Sequence, residues 1–165
     1  MTEQIFPSVL TILEEFGAEL VRDIGKSIKD KDLIASGELS KSVKFSIDVN
    51  LADEKYVFQL DMAPYWSAVD EGRKAGKQPP VQSIMKWLKY PNVKSKLGKE
   101  NRDLSLKTFK DYELKGLAYV IARKIGKEGT KATHFYSAVV TEERLNQLIA
   151  DIGDAATVDV IAQIN

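Results

Sequence analysis

His134 is the only side chain in this sequence whose ordinary pKa lies near neutrality, and so the only candidate for acid–base work at physiological pH. No serine stands near it in a recognised nucleophile pattern, and the chain has no cysteine at all. A lone histidine of this kind reads as structural or exposed. Asp70–Glu71 is an acidic pair, but neighbours in sequence point in different directions, and shared proton transfer needs converging carboxylates. The pair reads better as part of a turn or of an intersubunit salt bridge. Gly72, Gly76 and Lys77 have the composition of a phosphate loop. The spacing is one residue short, however, and Gln78 stands where the metal-binding hydroxyl belongs. Glu113-Leu114-Lys115 has the composition of a metal-dependent nuclease core, a triplet that such enzymes carry on a strand; here it opens a helical pattern. One histidine and no thiolate leave little for zinc. No catalytic residue, metal or cofactor is expected.

The elements that would position these residues emerge from periodicity. Phe6, Val9, Leu10, Leu13, Phe16, Leu20, Val21, Ile24 and Ile28 recur at helical spacing and predict a long amphipathic helix from Ile5 to about Lys29. Gly17 and Gly25 within it each cost about 1 kcal/mol relative to Ala, so they mark close packing or a bend. Ser36 reads as an N-cap before a short turn of helix. Val43, Phe45, Ile47 and Val49 alternate with polar residues, as do Tyr56, Phe58, Leu60 and Met62. With Leu51–Glu54 as the loop, they predict a β-hairpin. A hairpin alone is marginal, so its apolar face must lie on the long helix or on more strands.

Pro64 ends the second strand, and the stretch from Tyr65 to Val81 comes next. Two aromatics and an acidic pair lead there into Gly72, three basic residues and Pro79–Pro80. Glycine can take positive φ and proline fixes the entry into the next element, so this is a structured turn. Val81–Tyr90 reads as a short helix with Ile84, Trp87 and Leu88 on one side. Residues 91–111 are polar and Lys-rich, and read as a long flexible basic loop. Tyr112–Lys127 returns to helical spacing through Leu114, Leu117, Ala118, Ile121 and Ile125, with Gly126 and Gly129 at its end. Phe135 to about Ile149 reads as a further amphipathic segment. A helical extension runs from about 141 to the C-terminus, with its continuity through Gly153–Thr157 left open.

At 165 residues the length points to a single domain, residues 1–165, of class α+β. A small antiparallel sheet built on the hairpin at about 43–62 packs against the long first helix and further helices. The opening residues do not form a secretory signal, and no stretch approaches the roughly 18–20 apolar residues of a membrane span. Net charge is zero but segregated. Residues 1–72 hold 7 Lys/Arg against 14 Asp/Glu, residues 73–131 hold 16 against 5, and residues 132–165 hold 1 against 5. The balances are −7, +11 and −4. Such poles act on a partner as a field.

Two blocks carry a family resemblance. The first is Tyr65-Trp66, then Val69-Asp70-Glu71-Gly72-Arg73, then a Pro-Pro-initiated helix with Ile84 and Trp87. The second is Ala118–Ile125, followed by Glu128-Gly129-Thr130-Lys131-Ala132 and Phe135. In this order they resemble the head–tail connector and tail-completion (neck) proteins of tailed bacteriophages, over about Leu33 to Val140. The resemblance implies a structural virion protein, assembled in the host cytoplasm, that forms a ring joining the portal complex to the tail. Its partners would be further copies of itself and neighbouring portal, adaptor or tail proteins. Tyr65, Trp66, Asp70, Glu71, Arg73 and Lys74 are the expected subunit interface, because aromatics and Arg are enriched at interface centres. Lys94, Lys96, Lys99 and Arg102 are the expected DNA-facing or partner-facing basic loop. The alternative is a non-specific nucleic-acid-binding module that uses the basic 73–131 region to neutralise phosphates.

Overall fold

The computed structural model describes residues 6–50, 55–93 and 110–164. Its elements are α1 (Pro7–Asp30), α2 (Glu38–Ser42), β1 (Lys44–Asn50), β2 (Lys55–Asp61), α3 (Trp66–Asp70), α4 (Val81–Leu88), α5 (Asp111–Glu128) and α6 (Glu142–Ile164). A two-stranded antiparallel sheet with a long first helix and several others makes this an α+β fold. The chain forms two compact units. One takes residues from 1–31, 40–63 and 135–165; the other takes 32–39 and 64–134.

In the first unit, α1 buries Val9, Leu13, Phe16, Leu20, Ile24 and Ile28, the inner residues of the predicted stripe. The hairpin register sets Phe45 opposite Leu60, Ile47 opposite Phe58 and Val49 opposite Tyr56, so the apolar residues of both strands share one face. That face meets α1. A Cβ at Gly17 would overlap the Phe45 ring, so Gly17 marks close packing; Gly25 meets nothing within 4 Å. Phe58 stacks on Phe45 at 5.8 Å and meets Phe16 edge-on at 5.8 Å. The hairpin loop at 51–54 lies outside the described residues.

α6 is one unbroken helix through Gly153–Thr157, with Ala155 buried against Val9 and Leu13 of α1. Phe135–Val140, expected within a helix, is a run of turns. Just before the turns, His134 sits at φ 51°, in a left-handed conformation. The side chain of Thr141 then accepts the backbone N–H of Arg144 at 3.3 Å and starts α6 afresh. Buried Phe135 anchors the turns.

Two long-range polar contacts join the ends of this unit. Pro7 opens α1 with its φ already set, but the helix has no capping side chain of its own. The carboxylate of Asp159 in α6 does that work. It accepts the N–H of Ser8 at 2.9 Å and of Val9 at 3.4 Å, and the Ser8 hydroxyl at 2.7 Å. At the other end, Arg144 donates to Asp23 at 2.9 Å, lies 3.5 Å from Glu19, and sets its guanidinium 5.6 Å above the Phe16 ring. Burial pushes the Asp23 carboxyl up, but hydrogen bonds from Arg144 and Arg22 outweigh it and hold the group below the usual carboxylate range.

This second contact can be tested by mutation. Arg144→Ala removes a partly exposed ion pair and a cation–π contact, and should lower stability by about 1–2 kcal/mol in urea titrations. Because Asp23 is depressed, its contribution is complete above the unfolded value of about 3.9 and is lost as pH falls through the lower folded value. Wild type and Asp23→Asn should therefore differ at neutral pH and converge in acid. A stability gap that persists unchanged at low pH would refute the pairing.

In the second unit, α4 packs on α5 around Leu88, Val93, Leu114 and Ala118, with Val81, Ile84, Met85, Leu117 and Ile121 at the margin. Ala118 and Ala122 are small, fully buried residues on the inner face of α5. Glu113, the acid of the nuclease-like triplet, accepts the N–H of Lys110 at 2.7 Å and caps α5. Ser36 accepts the N–H of Glu38 at 3.3 Å, as expected of a residue that starts a helix.

Candidate interface site at the glycine junction

The stretch after α3 and the stretch after α5, more than fifty residues apart in sequence, are bonded backbone to backbone. Arg73 and Thr130 form an antiparallel bridge with N–H donors on both sides, at 3.0 and 2.8 Å. Gly76 N–H donates to the Gly126 carbonyl at 2.8 Å. The Asp70 carbonyl accepts the N–H of Thr133 at 2.9 Å and of His134 at 3.0 Å, and the Thr133 hydroxyl donates to the Val69 carbonyl at 2.7 Å.

Two glycines make this approach possible. Gly72 and Gly129 both stand at φ 77°. A Cβ on Gly72 would overlap the Thr130 carbonyl oxygen, and one on Gly129 would overlap that of Arg73. Gly129 ends α5 with ψ −158°, a combination that only glycine adopts freely. Gly126, one turn earlier, lies against Gln78, where a Cβ would come within 3.1 Å of the Gln78 Cα.

The residues expected at an interface are spread around this junction. Asp70 is 2 % exposed and sits inside the turn, while Glu71, Arg73 and Lys74 face solvent. Arg73 donates to the Lys77 carbonyl at 2.9 Å, which folds its side chain along the turn. Trp66 is half-buried and Tyr65 exposed. Lys74, Lys77, Lys127 and Lys131 are exposed beside the bonded pairs, so the backbone lock carries a basic rim. Lys94, Lys96, Lys99 and Arg102 lie outside the described residues.

Tyr65 also borders a cavity of about 790 Å³ within this unit, walled by Leu33, Ala35, Leu39, Trp87 and Val93. Burial pushes the Tyr65 hydroxyl above its ordinary value, with Glu38 and then Tyr90 adding to the rise. The hydroxyl stays neutral across the physiological range and can donate a hydrogen bond. Among the described residues, no group of three or more His, Asp or Glu could hold a metal ion. No described helix is long and apolar enough to cross a membrane.

Sequence reasoning did not single out Asp159, Arg144, or the outward faces of α5 and α6. Periodicity finds the stripe that packs inward, and polar residues on a helix then read as solvated. On α5 the available signal was apolar residues off the stripe, Tyr112, Tyr119 and Val120; on α6, Ile149 and Ile161 belong to the amphipathic pattern read from the sequence, yet both are exposed. Comparison of the chain with protein-family models, with curated proteins and with solved structures returns no match.

Proposed function

We propose that this chain is a structural subunit of a bacteriophage neck, forming a ring that joins the portal complex to the tail, and that it works by interface burial rather than by catalysis. One observation supports this reading above the others. The two blocks that carry the resemblance converge, through Val69–Gly76 and Gly126–Thr133, on one backbone junction held by Gly72 and Gly129. A rigid junction with an aromatic flank and a basic rim is the type of surface that docks a partner, because little conformational entropy is lost on binding. In this reading the protein resides in the virion, and Tyr65, Trp66, Glu71, Arg73 and Lys74 meet a neighbouring subunit.

The basic rim favours one second reading, a non-specific nucleic-acid-binding module. Arg73, Lys74, Lys77, Lys127 and Lys131 are clustered at the junction, with the lysines exposed, as phosphate contacts require. Native mass and a duplex-DNA titration at the same salt separate the two. The neck reading expects a native mass that is a multiple of 18.4 kDa. A strict monomer that binds duplex DNA tightly would replace it with the second reading.

A further inference from the structure

The cavity of about 790 Å³ beside Tyr65 is built within one unit of the chain. Leu33, Leu39, Val69 and Val93 give it aliphatic walls, and Tyr65, Trp87 and Tyr90 give it aromatic ones. Its volume falls within the roughly 300–1,000 Å³ of ligand pockets and exceeds what one side chain fills. Tyr65 is 44 % exposed and Trp87 37 %, so the aromatic part is open. Large aromatics left uncovered beside a cavity are the residue types that anchor a bound partner.

The charge of the walls selects that partner. Residues 32–39 and 64–134, the unit that holds the cavity, carry 16 Lys/Arg against 9 Asp/Glu. Among the described residues that line the cavity the balance reverses: Asp32 and Glu38 are acids and none is basic. The Glu38 carboxylate meets the Ser36 hydroxyl at 3.5 Å and forms no ion pair with a described residue. It also lies close to the Tyr65 phenol. After burial, Glu38 and then Tyr90 raise the Tyr65 hydroxyl above its ordinary value. One carboxylate and two phenols therefore converge on one side of the cavity, with the Trp87 indole also in its wall. An anion would be repelled there, and a neutral apolar group would desolvate Glu38 without pairing it.

A guanidinium satisfies these groups together. It is planar, stacks on aromatic faces, forks two N–H donors onto a carboxylate, and is carried on an aliphatic stem. An ammonium is a compact, strongly hydrated charge that gains less from an aromatic face. We infer that the cavity binds an arginine side chain of a partner polypeptide, with Glu38 holding the guanidinium, Tyr65 and Trp87 stacking on it, and apolar neighbours of the arginine meeting the aliphatic walls. The site stands apart from the ring reading, since any polypeptide presenting such a segment would fill it.

The full chain carrying Trp66→Phe tests this, because Trp87 in the cavity wall is then the sole tryptophan. The capped peptide Gly-Leu-Arg-Leu-Gly should shift Trp87 emission saturably. Its citrulline counterpart, alike in shape but uncharged, should bind at least about tenfold more weakly, and the lysine peptide about threefold. Glu38→Gln, a nearly isosteric change at an exposed position, should weaken the arginine peptide roughly fivefold. Tyr65→Leu should weaken it by a similar factor. Glu128→Gln removes an acid of the same unit outside the cavity wall and should change nothing. An equal loss there would reduce the Glu38 effect to the field of the whole unit and overturn the contact. Equal binding of the arginine and citrulline peptides, or undiminished binding by Glu38→Gln, would overturn the inference. Propylguanidinium bound as tightly as the peptide would overturn the polypeptide partner in favour of a small organic cation, and a preference for the lysine peptide would overturn the guanidinium. No saturable signal with any probe would refute the cavity as a binding site. If Trp66→Phe lowers the unfolding midpoint, titration calorimetry on the wild-type chain reads the same series.

Discussion

Asp159→Ala should destabilise the helix–hairpin unit by about 2–3 kcal/mol, although the residue lies 151 positions from the Ser8 it caps. Its carboxylate belongs to a residue only 7 % exposed and accepts two backbone N–H groups and one hydroxyl at the N-terminus of α1. Removal leaves those donors without their acceptor and takes a negative charge from the positive end of a 24-residue helix. An ordinary N-cap deletion costs about 1 kcal/mol; burial and charge raise the figure here. Asp159→Asn, which keeps one acceptor oxygen and loses the charge, should recover part of the difference. Ser8→Ala removes only the hydroxyl donor and should cost less than either. Urea unfolding followed by circular dichroism ranks the three variants. An alanine variant as stable as wild type would mean that the cap contributes nothing.

The sequence made α1 and the hairpin legible because both are amphipathic with clean periods. Val9, Leu13, Phe16, Leu20, Ile24 and Ile28 need only the 3.6-residue repeat, and Phe45, Ile47 and Phe58 only alternation. Their mutual packing was half legible. A glycine in the middle of α1 indicates close approach, but which of Gly17 and Gly25 makes it depends on where the Phe45 ring falls. The turns at Phe135–Val140 were not legible, since Val139 and Val140 fit a helical stripe as well as they fit a turn. What marks the start of α6 is the Thr141 hydroxyl accepting the Arg144 N–H, a bond that the hydrophobic pattern does not show.

The candidate site divides in the same way. Composition read the Tyr65–Val81 stretch as a structured turn whose glycines can take positive φ, as Gly72 does, but it missed the helix at Trp66–Asp70 inside that stretch. It could not supply the partner strand of that turn. Asp159, Arg144 and Thr130 are ordinary polar residues in sequence, and each acquires its role only from a contact across the fold. Local pattern therefore locates elements, whereas the bonds that lock them are non-local and leave no periodic trace.

Gly129→Ala should cost the α4–α5 unit about 3 kcal/mol or more, the other large effect expected of a single substitution. The backbone at φ 77°, ψ −158° lies in a region essentially confined to glycine, which alone accounts for about 1–3 kcal/mol. Overlap of the new methyl with the Arg73 carbonyl oxygen adds to it, and the obstacle is backbone that cannot swing aside. Relief requires opening the Arg73–Thr130 bridge, and with it the geometry presented by Arg73, Lys74 and Lys131. The only two tryptophans, Trp66 and Trp87, both belong to this unit, so intrinsic fluorescence reports its unfolding directly. Gly129→Ala should lower the fluorescence midpoint sharply, and Gly72→Ala should do the same for the same reason. In the neck reading a variant folded at low temperature should also assemble poorly, because the junction that holds the interface residues is sprung. A Gly129→Ala protein with wild-type midpoint and wild-type native mass would show that the junction neither stabilises the unit nor positions a contact.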